Sequence, residues 1–140
     1  MNPIRPFLDK APQLGARVYV DPACTLIGDV VLGEDVSVWP GTVIRGDVNH
    51  VRIGARSNIQ DGTILHACTI KDLCLIGMGA CILDGATVKK YGFVGAGVVS
   101  CRARPWASAN CGWAIRRGWR ARSATRRSRA CTTRRSTTCA

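Results

Sequence analysis

The residues able to do chemistry concentrate in one stretch, residues 44–66, which reads I-R-G-D-V-N-H-V-R-I-G-A-R-S-N-I-Q-D-G-T-I-L-H. Arg45 and Asp47 could form an ion pair, Asn58, Gln60 and Asp61 offer amides and a carboxylate, and His50 and His66 are the chain's two imidazoles. Regularly spaced aliphatics lie between them, so these groups would project from a rigid support. Two histidines with no further neutral or anionic partner make a weak zinc site. The plainer alternative for Asn58, Gln60 and Asp61 is that they are corner residues satisfying backbone groups. His50 falls in an inserted corner and reads as a solvent-facing loop residue.

The aliphatics define the elements that must carry those groups. Val20, Leu26, Leu32, Val38 and Ile44 recur every six residues, and four residues after each stands a second inward position, Cys24, Val30, Val36, Thr42 and Val48. After a three-residue insertion around His50 the lattice resumes at Ile53, Ile59 and Leu65, with Ser57 and Thr63 between. It continues through Ile70, Ile76, Ile82, Val88 and Val94, partnered by Cys74, Ala80, Ala86, Gly92 and Val98. A period of six matches neither a helix nor simple strand alternation. Short strands that bend at regular corners do match it, and the result is an all-β, three-sided parallel β-helix in which each coil buries its aliphatics against its neighbours.

The two halves of this lattice meet one residue out of phase. Counting forward from Ile59 places the next aliphatic at Leu65, whereas counting back from Ile70 places it at Ile64. A loop is expected to absorb such a slip, and T-I-L-H supplies none. Cys24, Cys68 and Cys74 take small inward positions, where core packing is the expected role. Trp39 is expected at a corner or a subunit contact.

The formal charge of +11 divides unevenly: residues 1–98 hold nine basic and nine acidic residues, and residues 99–140 hold eleven arginines with no lysine, aspartate or glutamate. The first region reads as the β-helix domain. The second, with no leucine and three of the four tryptophans, reads as a low-complexity basic tail with little to bury, expected to be disordered. Trp106, Trp113 and Trp119 among arginines would suit nucleic-acid contact. No leader-type apolar stretch opens the chain and no apolar run approaches the ~18 residues of a membrane span, so a cytoplasmic location is expected and a membrane is not. The eight cysteines include no CxxC pair and are expected as free thiols.

The stretch W-P-G-T-V-I-R-G-D-V-N-H-V-R-I-G-A-R-S-N-I-Q-D-G-T-I-L-H, followed by C-L-I-G-M-G-A and I-L-D-G-A, resembles the γ-class carbonic anhydrase family of hexapeptide-repeat proteins. Ordinary hexapeptide acyltransferases share the lattice but not the I-R-G-D and N-I-Q-D-G pair. The resemblance implies a left-handed coil, a homotrimer, and zinc held by three histidines at a subunit interface. There the metal would lower the pKa of a bound water toward ~7 for the reversible hydration of carbon dioxide to bicarbonate. It implies His66 as a metal ligand, Arg45 and Asp47 as the pair that orients subunits, and Asn58, Gln60 and Asp61 as catalytic polar groups around the metal.

The sequence departs from the family pattern after His66. The other two histidines would stand in a later coil, as a G-H and then an L-H ahead of A-C-T-I, but here D-G-T-I-L-H runs directly into A-C-T-I. A ligand-bearing coil is missing, and His66 is a hybrid of the first and third ligand positions. The lattice slip, found from spacing alone, falls at the same junction. Shifting the reading frame from about Val99 permits Leu-Gly-Glu-Arg-Glu-Leu-Trp-Leu-Gly-Asn-Pro-Ala-Arg, similar to the family's C-terminal region, so out-of-frame translation is expected ahead of a nucleic-acid arm. Three functions remain open: a zinc-dependent carbonic anhydrase, a non-catalytic trimeric scaffold or binding protein, and, less favoured, a hexapeptide acyltransferase.

Overall fold

The computed structural model describes residues 2–100. Its strands in chain order are β1 (Ile4–Arg5), β2 (Gln13–Leu14), β3 (Tyr19–Val20), β4 (Thr25–Leu32), β5 (Ser37–Val38), β6 (Val43–Ile53) and β7 (Asn58–Ile59). There follow β8 (Ile64–His66), β9 (Thr69–Ile70), β10 (Leu75–Ile76), β11 (Cys81–Ile82), β12 (Thr87–Val88), β13 (Phe93–Val94) and β14 (Val99–Ser100). Most are two residues long, because each hexad gives a short extended piece and then a corner.

Three faces result. Face one stacks β3, β5, β7, β10 and β13; face two stacks β1, the start of β4, the start of β6, β8, β11 and β14. Face three stacks β2, the end of β4, the end of β6, β9 and β12. β4 and β6 run through the corner between faces two and three, which joins those faces into one nine-stranded sheet beside the five-stranded sheet of face one. The protein is thus an all-β parallel β-helix of about five turns, as the period of six requires.

The lattice residues form the core. Leu26, Leu32, Val38, Ile44, Ile53, Ile59, Leu65, Ile70, Ile76 and Ile82 are all buried, and Cys24, Val30, Val36, Ala80 and Ala86 fill the second inward set. Thr42, Ser57 and Thr63 are buried too, their hydroxyls donating to the carbonyls of Gln60, Lys71 and Gln60 at 3.0, 3.0 and 2.6 Å. One position differs from expectation. Val48 is 78% exposed and Val51 is buried in its place, because residues after Gly46 leave the ladder and pairing with β4 resumes only at Val51.

Ladder partners measure each coil. They stand 18 residues apart in a regular coil (Leu26↔Ile44) and 21 apart where the coil holds the insertion (Ile44↔Leu65). They stand 17 apart across the junction (Leu65↔Ile82). The phase slip therefore needs no loop, contrary to expectation: the corner after Leu65 is simply one residue short. Leu65 is fully buried, Ile64 turns outward, Ala67 takes a φ of 47°, and Cys68 points inward. A left-handed conformation costs a non-glycine residue roughly 1–2 kcal/mol, and alanine has the least side chain to crowd there.

The first coil is tied down by a carboxylate with two cations. Lys10 Nζ lies 3.0 Å from Asp29 Oδ2, Arg52 Nη1 lies 2.7 Å from Oδ1, and Arg52 also donates to the Asp29 carbonyl at 3.1 Å. The Arg52 hydrogen bond first, and then that of Lys10, hold the Asp29 carboxyl down to about 2 from an ordinary 3.8. A folded-state value below the unfolded one means that the contribution is complete above about pH 4 and is lost as pH falls toward about 2. Asp29→Asn is expected to cost about 1–2 kcal/mol near neutral pH. Urea denaturation should show the gap to the wild type closing between about pH 4 and pH 2.

At the far end the ladder runs two residues past the boundary placed at residue 98, since β14 pairs with β11 through Cys81↔Val99 and Ile82↔Ser100. Of the basic tail and its out-of-frame reading, placed at residues 99–140, residues 101–140 lie outside the described residues.

Candidate functional site

His66 ends β8, beside Arg45 on β6 in the register Arg45↔His66. The imidazole is largely buried at this edge, with 13% of the side chain exposed. Its Nε2 lies 3.1 Å from Asp47 Oδ1, and its Nδ1 makes a short contact with Asp84 Oδ1. Arg45 Nε lies 3.1 Å from the same Asp47 oxygen. An imidazole, two carboxylates and a guanidinium from three successive coils thus meet at the corner between faces two and three. Desolvation pushes the Asp47 carboxyl up, but the backbone N–H groups of Val48 and Asp47, the His66 hydrogen bond and the Arg45 charge outweigh it, so the carboxyl lies below its ordinary range.

Asn58, Gln60 and Asp61 stand elsewhere, on face one and the corner that follows it. Asn58 Nδ2 donates to Ser37 Oγ at 3.0 Å, and its Oδ1 is buried without a partner. The Gln60 carbonyl accepts from Thr42 and Thr63, while the Asp61 carbonyl accepts the Gly79 N–H at 2.8 Å. Among the described residues no hydrogen bond or ion pair joins these three to the His66 cluster. Asn58, Gln60 and Asp61 thus belong to a separate set of hydrogen bonds from Arg45, Asp47 and His66.

His50 is exposed on the inserted bulge. Trp39 stacks at a tilt on Tyr19, with ring centroids 5.5 Å apart. Cys24, Cys68 and Cys74 are buried free thiols, and burial pushes Cys68 up to about 12. Asp84 is the partner that sequence reasoning passed over. It stands 18 residues after His66, one residue past the position that the 17-residue ladder sets opposite His66.

Zinc needs a lone pair from each imidazole. In this structure Asp47 and Asp84 occupy both ring nitrogens of His66, and His50, the chain's other imidazole, is exposed on the inserted bulge. Among the described residues no group of three His, Cys, Asp or Glu side chains is placed to hold a metal ion. The donor set of the described residues, with two histidines, does not fit the three-histidine zinc centre that the resemblance implies.

A six-residue lattice wound into a parallel solenoid defines a hexapeptide-repeat protein, and comparison with known proteins narrows the class. Residues 11–46 match the family described as bacterial transferase hexapeptide (six repeats). The chain is 42% identical over 110 residues to protein YrdA of Escherichia coli, an alignment covering 58% of this chain and 60% of that one. It is 38% identical over 119 residues to the mitochondrial γ carbonic anhydrase 1 of Arabidopsis thaliana, covering 65% of this chain and 43% of the relative. A solved Bacillus cereus protein designated an acetyltransferase superposes with a TM-score of 0.56 at 35% identity, covering 71% of this chain and 70% of its own.

The chain is a hexapeptide-repeat protein similar to the γ carbonic anhydrases. It spans three-fifths or less of the length of the Escherichia coli and Arabidopsis relatives. Among its described residues no helix is long and apolar enough to cross a membrane.

Proposed function

We propose that this chain is a non-catalytic, self-assembling member of its family, a trimeric scaffold or binding protein of the cytoplasm rather than a working carbonic anhydrase. The observation that carries the reading is the capture of both His66 ring nitrogens by Asp47 and Asp84. The family reaction is the zinc-dependent, reversible hydration of carbon dioxide. In that reaction His66 would be a ligand, Asn58, Gln60 and Asp61 would serve the metal-bound group, and Arg45 and Asp47 would orient subunits.

The missing coil has support from the alignments. That with the Escherichia coli relative runs over 110 residues yet takes in 58% of this 140-residue chain, about 81 residues, so about 29 aligned positions have no counterpart here. That with the Arabidopsis relative leaves about 28 by the same reckoning, 119 against 65% of the chain. We propose in addition that residues 99–140 are an out-of-frame tail, to be checked by resequencing across the codons for His66 and Val99.

The test of function is elemental analysis with stopped-flow carbon dioxide hydration and sedimentation of the purified chain. The expected results are well under one zinc per chain, hydration at the uncatalysed rate, and a trimeric mass. Stoichiometric zinc with catalysed hydration would restore the enzyme; a monomeric mass would remove the scaffold. Acyl transfer is a second reading, favoured by the Bacillus cereus structure, and acetyl-CoA turnover would select it.

A further inference from the structure

We infer that the Asp47–His66–Asp84 bridge is a cross-brace that holds the short corner closed, with His66 serving there as a structural part. The inference rests on the reading that no metal uses His66. The corner that begins at His66 lies between two unlike neighbours, the inserted bulge of β6 below and the full-length corner after Ile82 above. Leu65 to Ile70 spans five residues, so this corner has lost a backbone position that its neighbours keep.

Backbone bonds still cross it: Arg52 N–H donates to the Cys68 carbonyl at 3.1 Å, and Gly85 N–H donates to the Ala67 carbonyl at 2.8 Å. The turn itself holds Ala67 at a φ of 47°, in the left-handed region that Gly85 occupies at 69° in the coil above. His66 lies on the outer surface just before that turn, with a carboxylate reaching its ring from the coil on either side. Charge-assisted hydrogen bonds are about twice as strong as neutral ones, and two on one small ring fix its position from both directions. Arg45 supplies a cation on the shared Asp47 oxygen, so the cluster of two carboxylates is not left with a bare like-charge pair. At the regular corner below, a bridge of reversed charge stands in the corresponding place, with Asp29 held by Lys10 and Arg52.

The test is a double-mutant cycle on the full chain with His66→Gln, Asp84→Asn and the pair, each unfolded thermally with added zinc and with chelator. Each single variant is expected to lower the midpoint by about 2–5 °C, and the double by no more than the larger single. Zinc is expected to leave every midpoint where chelator does. Additive losses in the double variant would overturn the brace while leaving the non-catalytic reading in place. A zinc-dependent rise in the wild type that disappears in His66→Gln would overturn both, because the imidazole would then be free to bind metal.

Discussion

Leu65→Ala is expected to cost about 3–4 kcal/mol, and Ile64→Ala no more than about 1 kcal/mol. The two residues are adjacent, similar in size and both lattice candidates, so the contrast isolates the phase of the junction. Leu65 is fully buried between Ile44 and Ile82, whereas Ile64 is 46% exposed on face two. Truncating Leu65 opens a cavity in a coil whose neighbours are fixed by their own ladders and cannot close over it. Truncating Ile64 removes surface that water already touches. Chemical denaturation of the two variants, compared at a common slope, checks this. A larger loss at Ile64 would mean that the downstream count sets the register.

Gly46→Ala is expected to cost about 2–4 kcal/mol, although glycine to alanine is among the smallest of substitutions. A Cβ at Gly46 would stand 2.4 Å from the Asp29 carbonyl oxygen and 2.7 Å from its carbon. Both are backbone atoms of the neighbouring coil, so no rotamer change relieves the overlap. Gly62→Ala provides the control, since nothing lies within 4 Å of its added Cβ and only the φ of 65° opposes it, at roughly 1 kcal/mol. Thermal unfolding midpoints should fall by more than twice as much at Gly46. Equal shifts would show that the coils separate there more easily than their spacing implies. The glycine of I-R-G-D is thus held by coil-to-coil contact, independently of the Arg45 and Asp47 on either side of it.

Much of the fold could be read before any coordinates. A six-residue period has one economical solution, and Leu26, Ile44, Ile59, Ile76 and the rest took their inward places because burial is what made them periodic. Val48 was misplaced because counting assumes an uninterrupted strand, while the insertion expels residues before the lattice resumes. The junction was detected correctly but its remedy was not, since spacing does not reveal that a corner one residue short keeps its backbone bonds to the coils on both sides. The candidate site was less legible. Residue types drew Asn58, Gln60, Asp61 and His66 into one list, but a solenoid spreads neighbours in sequence over different faces and gathers residues a coil apart. Asp84 was overlooked for that reason, standing in an ordinary corner motif one coil away, next to the position that the ladder sets opposite His66.

The unequal ladder spacings carry an evolutionary consequence. Since 18, 21 and 17 residues all return a strand to its own face, a gain or loss of chain is felt only as the remainder left after whole turns are removed. A remainder of three becomes a protrusion and a remainder of minus one becomes a tight turn. An indel that would scramble an ordinary sheet is here a local event. Such a molecule can lose the chemistry of a whole turn in a single step and still fold.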